Sequence, residues 1–363
     1  MPTILAIESS CDETAVAILG KLSTSNAQLP TFKSDQLEVE SSTLKVESFP
    51  TLLANQISTQ IDLHQPYGGV VPELASRNHL TTLRPLILAA LDEAGLTLPQ
   101  IDAFAATAGP GLASSLLMGN TAAKALALAN RKPFIAVNHM EGHLLSPFLG
   151  NPDGIRPSVA LIVSGGHTML VHLRAFGDYK LLGRTRDDAA GEAFDKVAKM
   201  LSLPYPGGPN IEKAARGGNP SAYDFPRSML KSGDLAFSFS GLKTAVLYTL
   251  QKIPAEEIQP ELPNLCASFQ QAVVDVLVKK TIKAARQVNE KLVTLSGGVS
   301  SNQHLRGTMQ SACEEAGLQL AIAEGEHCTD NAAMIAQVAL EKLARDQTDP
   351  LSADVDPNMA LAE

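Results

Sequence analysis

The sequence contains no tryptophan, and aromatic residues make up only 4% of its 363 positions. That scarcity argues against a single-stranded nucleic-acid platform, which stacks successive bases on aromatic side chains. Four cysteines (Cys11, Cys266, Cys313 and Cys328) form no CxxC pair and no regular spacing. They read as reduced, buried or incidental thiols rather than a disulfide set. The longest apolar runs, such as residues 86–91 and 159–163, are far short of a membrane span. The first seven residues have no basic region or small-residue cleavage site, and Glu8 follows at once. They read as a β-strand rather than a signal peptide, and the expected location is the cytoplasm. A net charge of -9 opposes general binding to a phosphate backbone, so a nucleic-acid substrate would need a local basic patch or a basic partner.

The composition is that of a compact globular protein, with 45% hydrophobic and 18% charged residues. The length exceeds one ordinary core and predicts two domains. Residues 3–7 and 15–19 are apolar β-rich runs flanking the polar turn Glu8-Ser-Ser-Cys-Asp-Glu-Thr14. The unit recurs at 159–163 and 169–173 around Ser164-Gly-Gly-His-Thr168. Two hairpins with small polar turns, half a chain apart, predict two related lobes whose turns face a shared cleft. Such turns let backbone N–H groups approach a phosphate or carboxylate. Helical patterns occur at 72–79, 84–94 (with Pro85 suited to a first turn), 114–129, 189–201, 265–287, 301–316 and 331–345. Short β-like runs at 103–107, 134–137 and 292–296 separate several of them, which points to α/β lobes. A polar stretch at 20–47 reads as a surface insertion, and 346–363 as a frayed tail.

The sharpest local signal is His139-Met-Glu-Gly-His143. Histidines at i and i+4 share one helix face and can bind one metal. A zincin protease needs glutamate directly after the first histidine; Met140 stands there, and Glu141 points roughly to the opposite side. Asp330 is the best third ligand, with a helix N-cap as its ordinary alternative role. Two imidazoles and one carboxylate leave coordination positions open, which suits a catalytic metal. Asp195 lies two turns into an acidic helix and can accept hydrogen bonds from a ligand or merely face solvent. Tyr205-Pro-Gly-Gly-Pro-Asn-Ile-Glu212 is a Pro/Gly loop leading into a helix, either a mere turn or a place where backbone passes close to a flat ligand, with Glu212 a weaker candidate for ribose hydroxyls. Ser296-Gly-Gly-Val-Ser-Ser-Asn302 reads as strand, glycine turn and helix start; Asn302 is either a ligand-binding amide or a cap.

Together these segments resemble the TsaD/Gcp group of tRNA N6-adenosine threonylcarbamoyltransferases. The resemblance runs from IESSCDETAVAI through GGVVPELASRNH, TAGPGL, NHMEGH, LIVSGGHT, DDAAGEAFDK, YPGGP, FSFSGLKTA and SGGVSSN to CTDNAAMIA. It implies a two-lobed actin/Hsp70/sugar-kinase-like (ASKHA) α/β fold with duplicated lobes. The expected division is an N-terminal lobe at 1–149 and a C-terminal lobe at 150–329, with a helix at 330–345 packing back on the first. It implies one divalent metal per subunit on His139, His143 and Asp330, iron foremost and zinc second. It implies substrate contacts from Ile162, Val163, Ser164, Gly165, Gly166, Asp195, Gly208 and Asn302. The implied reaction moves threonylcarbamoyl from threonylcarbamoyl-AMP to N6 of the adenosine 3′ to the anticodon in tRNAs reading A-starting codons, releasing AMP. The implied partners are TsaB and TsaE, with a TsaC-type synthase supplying the donor and no membrane involved. The competing readings are an ATPase or kinase of the same fold, a metalloprotease, and a nucleotide-dependent scaffold.

Overall fold

The structure, a computed structural model, describes residues 2–20 and 50–362; the insertion expected at 20–47 lies, from residue 21 onward, outside them. The first half carries β1 (Ile4–Glu8), β2 (Glu13–Gly20), β3 (Thr51–Thr59), α1 (Ile61–His64), α2 (Pro72–Ala94), β4 (Ala103–Gly109), α3 (Ala113–Asn130), β5 (Phe134–Asn138) and α4 (His139–Leu145). The second carries β6 (Ser158–Val163), β7 (Thr168–Ala175), β8 (Asp178–Arg184), α5 (Ala190–Met200), α6 (Gly207–Ala214), α7 (Ser240–Leu250), α8 (Ala255–Val288), β9 (Leu292–Ser296), α9 (Gln303–Ala316), β10 (Gln319–Ile322) and α10 (Ala332–Leu343).

The strands form two five-stranded sheets, ordered β3-β2-β1-β4-β5 and β10-β9-β6-β7-β8. Read from their hairpins, the two are the same sheet twice. In each, the first strand pairs antiparallel with the second, the second antiparallel with the third, and the first parallel with the fourth. The fifth strand extends the parallel half. Parallel neighbours need a long crossover, and helices supply it. β1, β4, β6 and β9 are buried along their whole length, as strands covered on both faces must be.

Among the described residues apolar side chains fill three main layers, with a small further cluster of Ala15, Ala17, Ala332 and Ala333 between β2 and α10. One lies between the first sheet and α2 and α3, with Leu5, Ile18, Leu83 and Ala123. Another lies between the second sheet and its helices, with Leu161, Phe194, Phe269 and Met309. The third joins the lobes: Ala6, Val137, Ile162 and Val171 meet Leu144 of α4 and Met334 and Val338 of α10. α10 packs on β1, β2 and β5 and on α4.

Three local expectations give way. The patterns at 72–79 and 84–94 are one helix, α2, with Pro85 inside it rather than in a first turn; the periodicity of apolar residues carries across the proline. α8 begins ten residues before the expected start and runs through Pro260 and Pro263. The tail is not frayed. Asp349 N–H donates to the Phe134 carbonyl at 2.9 Å, and its carboxylate accepts from Ala136 N–H at 2.8 Å. Further on, Asp356 N–H donates to Ala108, and Gly111 N–H donates back to the Pro357 carbonyl. The polar composition that suggested fraying instead supplies partners for the open ends of β4 and β5. All four cysteines are free. Among the described residues no helix is long and apolar enough to cross a membrane.

Candidate metal centre and cleft

The hinge between β5 and α4 builds one half of the site. Asn138 caps α4, its side-chain oxygen accepting from Met140 N–H at 2.8 Å and Glu141 N–H at 3.3 Å. His139 and His143 then fall on one face, both buried, with ring centroids 4.7 Å apart. The other half precedes α10. Asn331 is the cap of that helix, accepting from Met334 N–H at 3.0 Å. Asp330, one residue earlier, is thereby left to turn its carboxylate toward the histidines, so the capping role weighed for Asp330 belongs to its neighbour. Asp330 Oδ1 lies 3.0 Å from His143 Nε2 and 3.5 Å from His139 Nε2. One ligand atom from each residue falls within 4.8 Å of the others. These residues can hold a metal ion, and their donor set, two imidazoles and a carboxylate, matches catalytic rather than structural sites.

Behind the histidine lies a carboxylate that the spacing of residues did not reveal. Glu8, fully buried, stands 3.1 Å from His139 Nδ1 and accepts from Thr107 Oγ1 at 2.6 Å and Ser10 N–H at 2.5 Å. Such a partner accepts a hydrogen bond from Nδ1–H and leaves Nε2 free to ligate. Its only sequence signal is a charged residue ending an otherwise apolar strand. Ser10 Oγ also meets His139 Nδ1, at 3.2 Å. Glu8 and the Ser10 hydroxyl thus share one ring nitrogen, and the other nitrogen faces Asp330 within the ligand cluster.

Electrostatics follow from that cluster in its metal-free form. Burial would lower the pKa of His139, but Asp330 and Glu8 override it and bring it to about 9. Burial would raise Asp330, and the adjacent imidazoles hold it well below the usual carboxylate range. Glu8 is lowered for the same reason, against its own desolvation. Burial and the nearby histidines push His167 down to about 4, a neutral imidazole. Glu141 turns away and accepts from Tyr179 Oη at 2.7 Å, while Met140 is buried. The position after the first histidine, where a zincin carries its base, thus holds a methionine.

Both hairpin turns open onto a cavity of about 750 Å³ that the two lobes share, with His139 and Asp330 in its wall. Ser10, Asp12 and Glu13 line it from the first turn, and Ser164, Gly165, Gly166 and His167 from the second. Among the described residues the Gly165 and Gly166 amides have no hydrogen-bond acceptor, and both residues line the cleft. Asp195, Gly208, Glu212 and Asn302 line the same cavity. Asp195 accepts from Gly207 N–H at 2.7 Å, and burial lifts its pKa to about 6. Glu212 accepts from Gln303 N–H at 2.7 Å. Asn302 is a cap, accepting from Leu305 N–H at 2.9 Å and donating to Gln270 at 2.8 Å. Ile162 and Val163 are wholly buried in β6 and are not among the residues lining the cleft.

A duplicated α/β body whose paired turns line one cleft, beside a cluster of side chains that could hold a metal, can take a ligand between its halves. The fold is of the actin/Hsp70/sugar-kinase-like class. Solved structures share the fold: HypF from T. kodakarensis (TM-score 0.58, 13% identity, 93% of this chain and 48% of that one) is one example. Component A of (R)-2-hydroxyglutaryl-CoA dehydratase from Acidaminococcus fermentans is another (TM-score 0.51, 14% identity, 95% and 100%). A family model described as TsaD: tRNA N6-adenosine threonylcarbamoyltransferase matches residues 51–337. A protein of that name from Anaeromyxobacter dehalogenans (strain 2CP-C) is 46% identical over 362 residues, covering 99% of this chain and 100% of its own. Another from Kosmotoga olearia is 45% identical over 360 residues, with 99% and 98% covered. The chain belongs to the tRNA N6-adenosine threonylcarbamoyltransferase family and is a transferase acting in tRNA modification.

Proposed function

We propose that the cleft binds threonylcarbamoyl-AMP beside a divalent metal held by His139, His143 and Asp330. The acceptor is N6 of the adenosine 3′ to the anticodon in tRNAs reading A-starting codons. Convergence of the three ligand atoms at the wall of a nucleotide-sized cleft carries this reading. Iron is the foremost metal and zinc the second. The bound metal supplies Lewis-acid stabilisation of charge developing on the donor's oxygens. The free amides of Gly165 and Gly166 donate to phosphate or carbamoyl oxygens, as preorganised dipoles do. Asp195, Gly208 and Asn302 border the adenylate, with Glu212 a weaker contributor. Ile162 and Val163, being core residues, hold the second turn in register. The N6–carbon bond forms, the carbamoyl carbon–oxygen bond breaks with AMP as the leaving group, and the proton lost by the amine passes to the departing phosphate or to water. Because the donor is a mixed anhydride, positioning supplies much of the rate. The proposal includes lobes divided near 149 and 150, a cytoplasmic location, TsaB and TsaE as partners, and a TsaC-type synthase upstream.

The test is a reconstituted transfer assay with His139→Ala and His143→Ala. Loss of both bound metal and modified tRNA is expected; variants keeping both would remove the metal from the mechanism. Release of ADP with a phosphorylated small molecule, in place of AMP with modified tRNA, would shift the reading to a kinase.

A further inference from the structure

We propose that a second cavity, walled by the C-terminal strap, receives the target adenosine of the tRNA and presents its N6 to the donor cleft. The proposal rests on the transfer reaction above.

The cavity measures about 350 Å³, at the lower end of the range for small-ligand sites. It shares Pro110 and His167 with the donor cleft, so the two spaces adjoin next to the metal cluster. An acceptor must enter separately from the donor yet end beside it, and this is the arrangement two adjoining cavities supply.

The walls suit a flat base. Met140 of α4, Met169 of β7 and Leu181 of β8 provide polarizable and aliphatic faces. Residues 357–362 form the opposite wall. That wall is fixed in place, because Asp356 N–H donates to Ala108 at 2.8 Å and Asn138 Nδ2 donates to the Ala360 carbonyl at 3.1 Å.

A β-bulge aims a cation at the cavity mouth. Met169 pairs with Arg184 and Val171 with Leu181, so Leu182 is an extra residue on β8. In a regular strand, residues three apart face opposite sides. The extra residue brings Leu181 and Arg184 onto the face of Met169, toward the cavity. Arg184 is exposed and forms no salt bridge among the described residues. On a chain of net charge -9 such a guanidinium at a cavity mouth fits a backbone phosphate flanking an extruded base.

The experiment uses full-length Arg184→Glu and Leu181→Trp in the reconstituted assay, with threonylcarbamoyl-AMP and tRNA. Arg184→Glu is expected to raise KM for tRNA about tenfold and to flatten its salt dependence. Leu181→Trp, which fills the cavity, is expected to lower transfer while metal content and donor affinity stay at wild-type values. Wild-type tRNA kinetics in both variants, or loss of donor affinity in parallel with transfer, overturns the proposal. Should Leu181→Trp fail to fold, the exposed Arg184 still decides it. If the unaltered enzyme makes no modified tRNA, the functional reading fails instead.

Discussion

At the scale of single residues, the metal centre is a charge cluster whose balance depends on whether the ion is bound. In the metal-free protein His139 titrates near 9, above its ordinary value of 6.5. A raised pKa on a base means the folded state holds the proton more tightly than the unfolded chain. The resulting stabilisation is fully present below about 6.5 and is lost as pH rises through about 9. Urea midpoints of chelated protein should therefore fall across that window, and His139→Gln should flatten the fall. Metal affinity should run the other way, strengthening with pH, because ligation needs neutral imidazoles. Glu8 makes a separate prediction. Glu8→Gln leaves every ligand in place but weakens the acceptor on His139 Nδ1. Competition with a chelator should show metal affinity reduced by roughly 10- to 100-fold. An unchanged affinity would mean Glu8 merely fills the core.

The elements matter because the ligands lie on two of them. α4 carries the histidines and α10 follows Asp330, and Gly142 lets the two helices touch. A Cβ there would meet Met334 at 3.0 Å and Ile335 at 3.1 Å, already tight for the smallest side chain. Gly142→Val should overpack the contact, costing about 1–3 kcal/mol, and separate His143 from Asp330. The expected readout is lost metal retention in a protein whose three ligands are intact. At the start of α10, Asn331→Ala removes the cap that sets the exit of Asp330 and should cost about 1 kcal/mol in denaturant unfolding. A variant with the wild-type unfolding midpoint would show that packing alone sets this helix end.

For the whole molecule, a metal held by this cluster would crosslink distant parts of the chain, since His143 and Asp330 are 187 positions apart. An ion that binds only the folded form stabilises it by about 2.7 kcal/mol at a hundredfold excess over Kd. Divalent metal should raise the thermal midpoint of the wild type and leave that of His143→Ala unmoved. The apolar layer of Ile162, Val137 and Met334 continues from one lobe into the other. One cooperative shift is therefore expected rather than two.

What the sequence determined by itself was whatever depends on short spacing. Alternating apolar residues around two polar turns specified the paired hairpins, and i, i+4 histidines specified a metal-binding helix face. The resemblance motifs pointed to Asp330 as the third ligand. Tertiary structure decided what depends on residues meeting across long loops. It placed Glu8 behind His139, gave the cap of α10 to Asn331, and buried Ile162 and Val163 away from the cleft. It also laid a polar tail along β4 and β5, where composition suggested fraying. Hydrogen-bond partners for exposed strand ends and the orientation of a buried carboxylate are set by distance in space, and no local pattern of side chains encodes that distance.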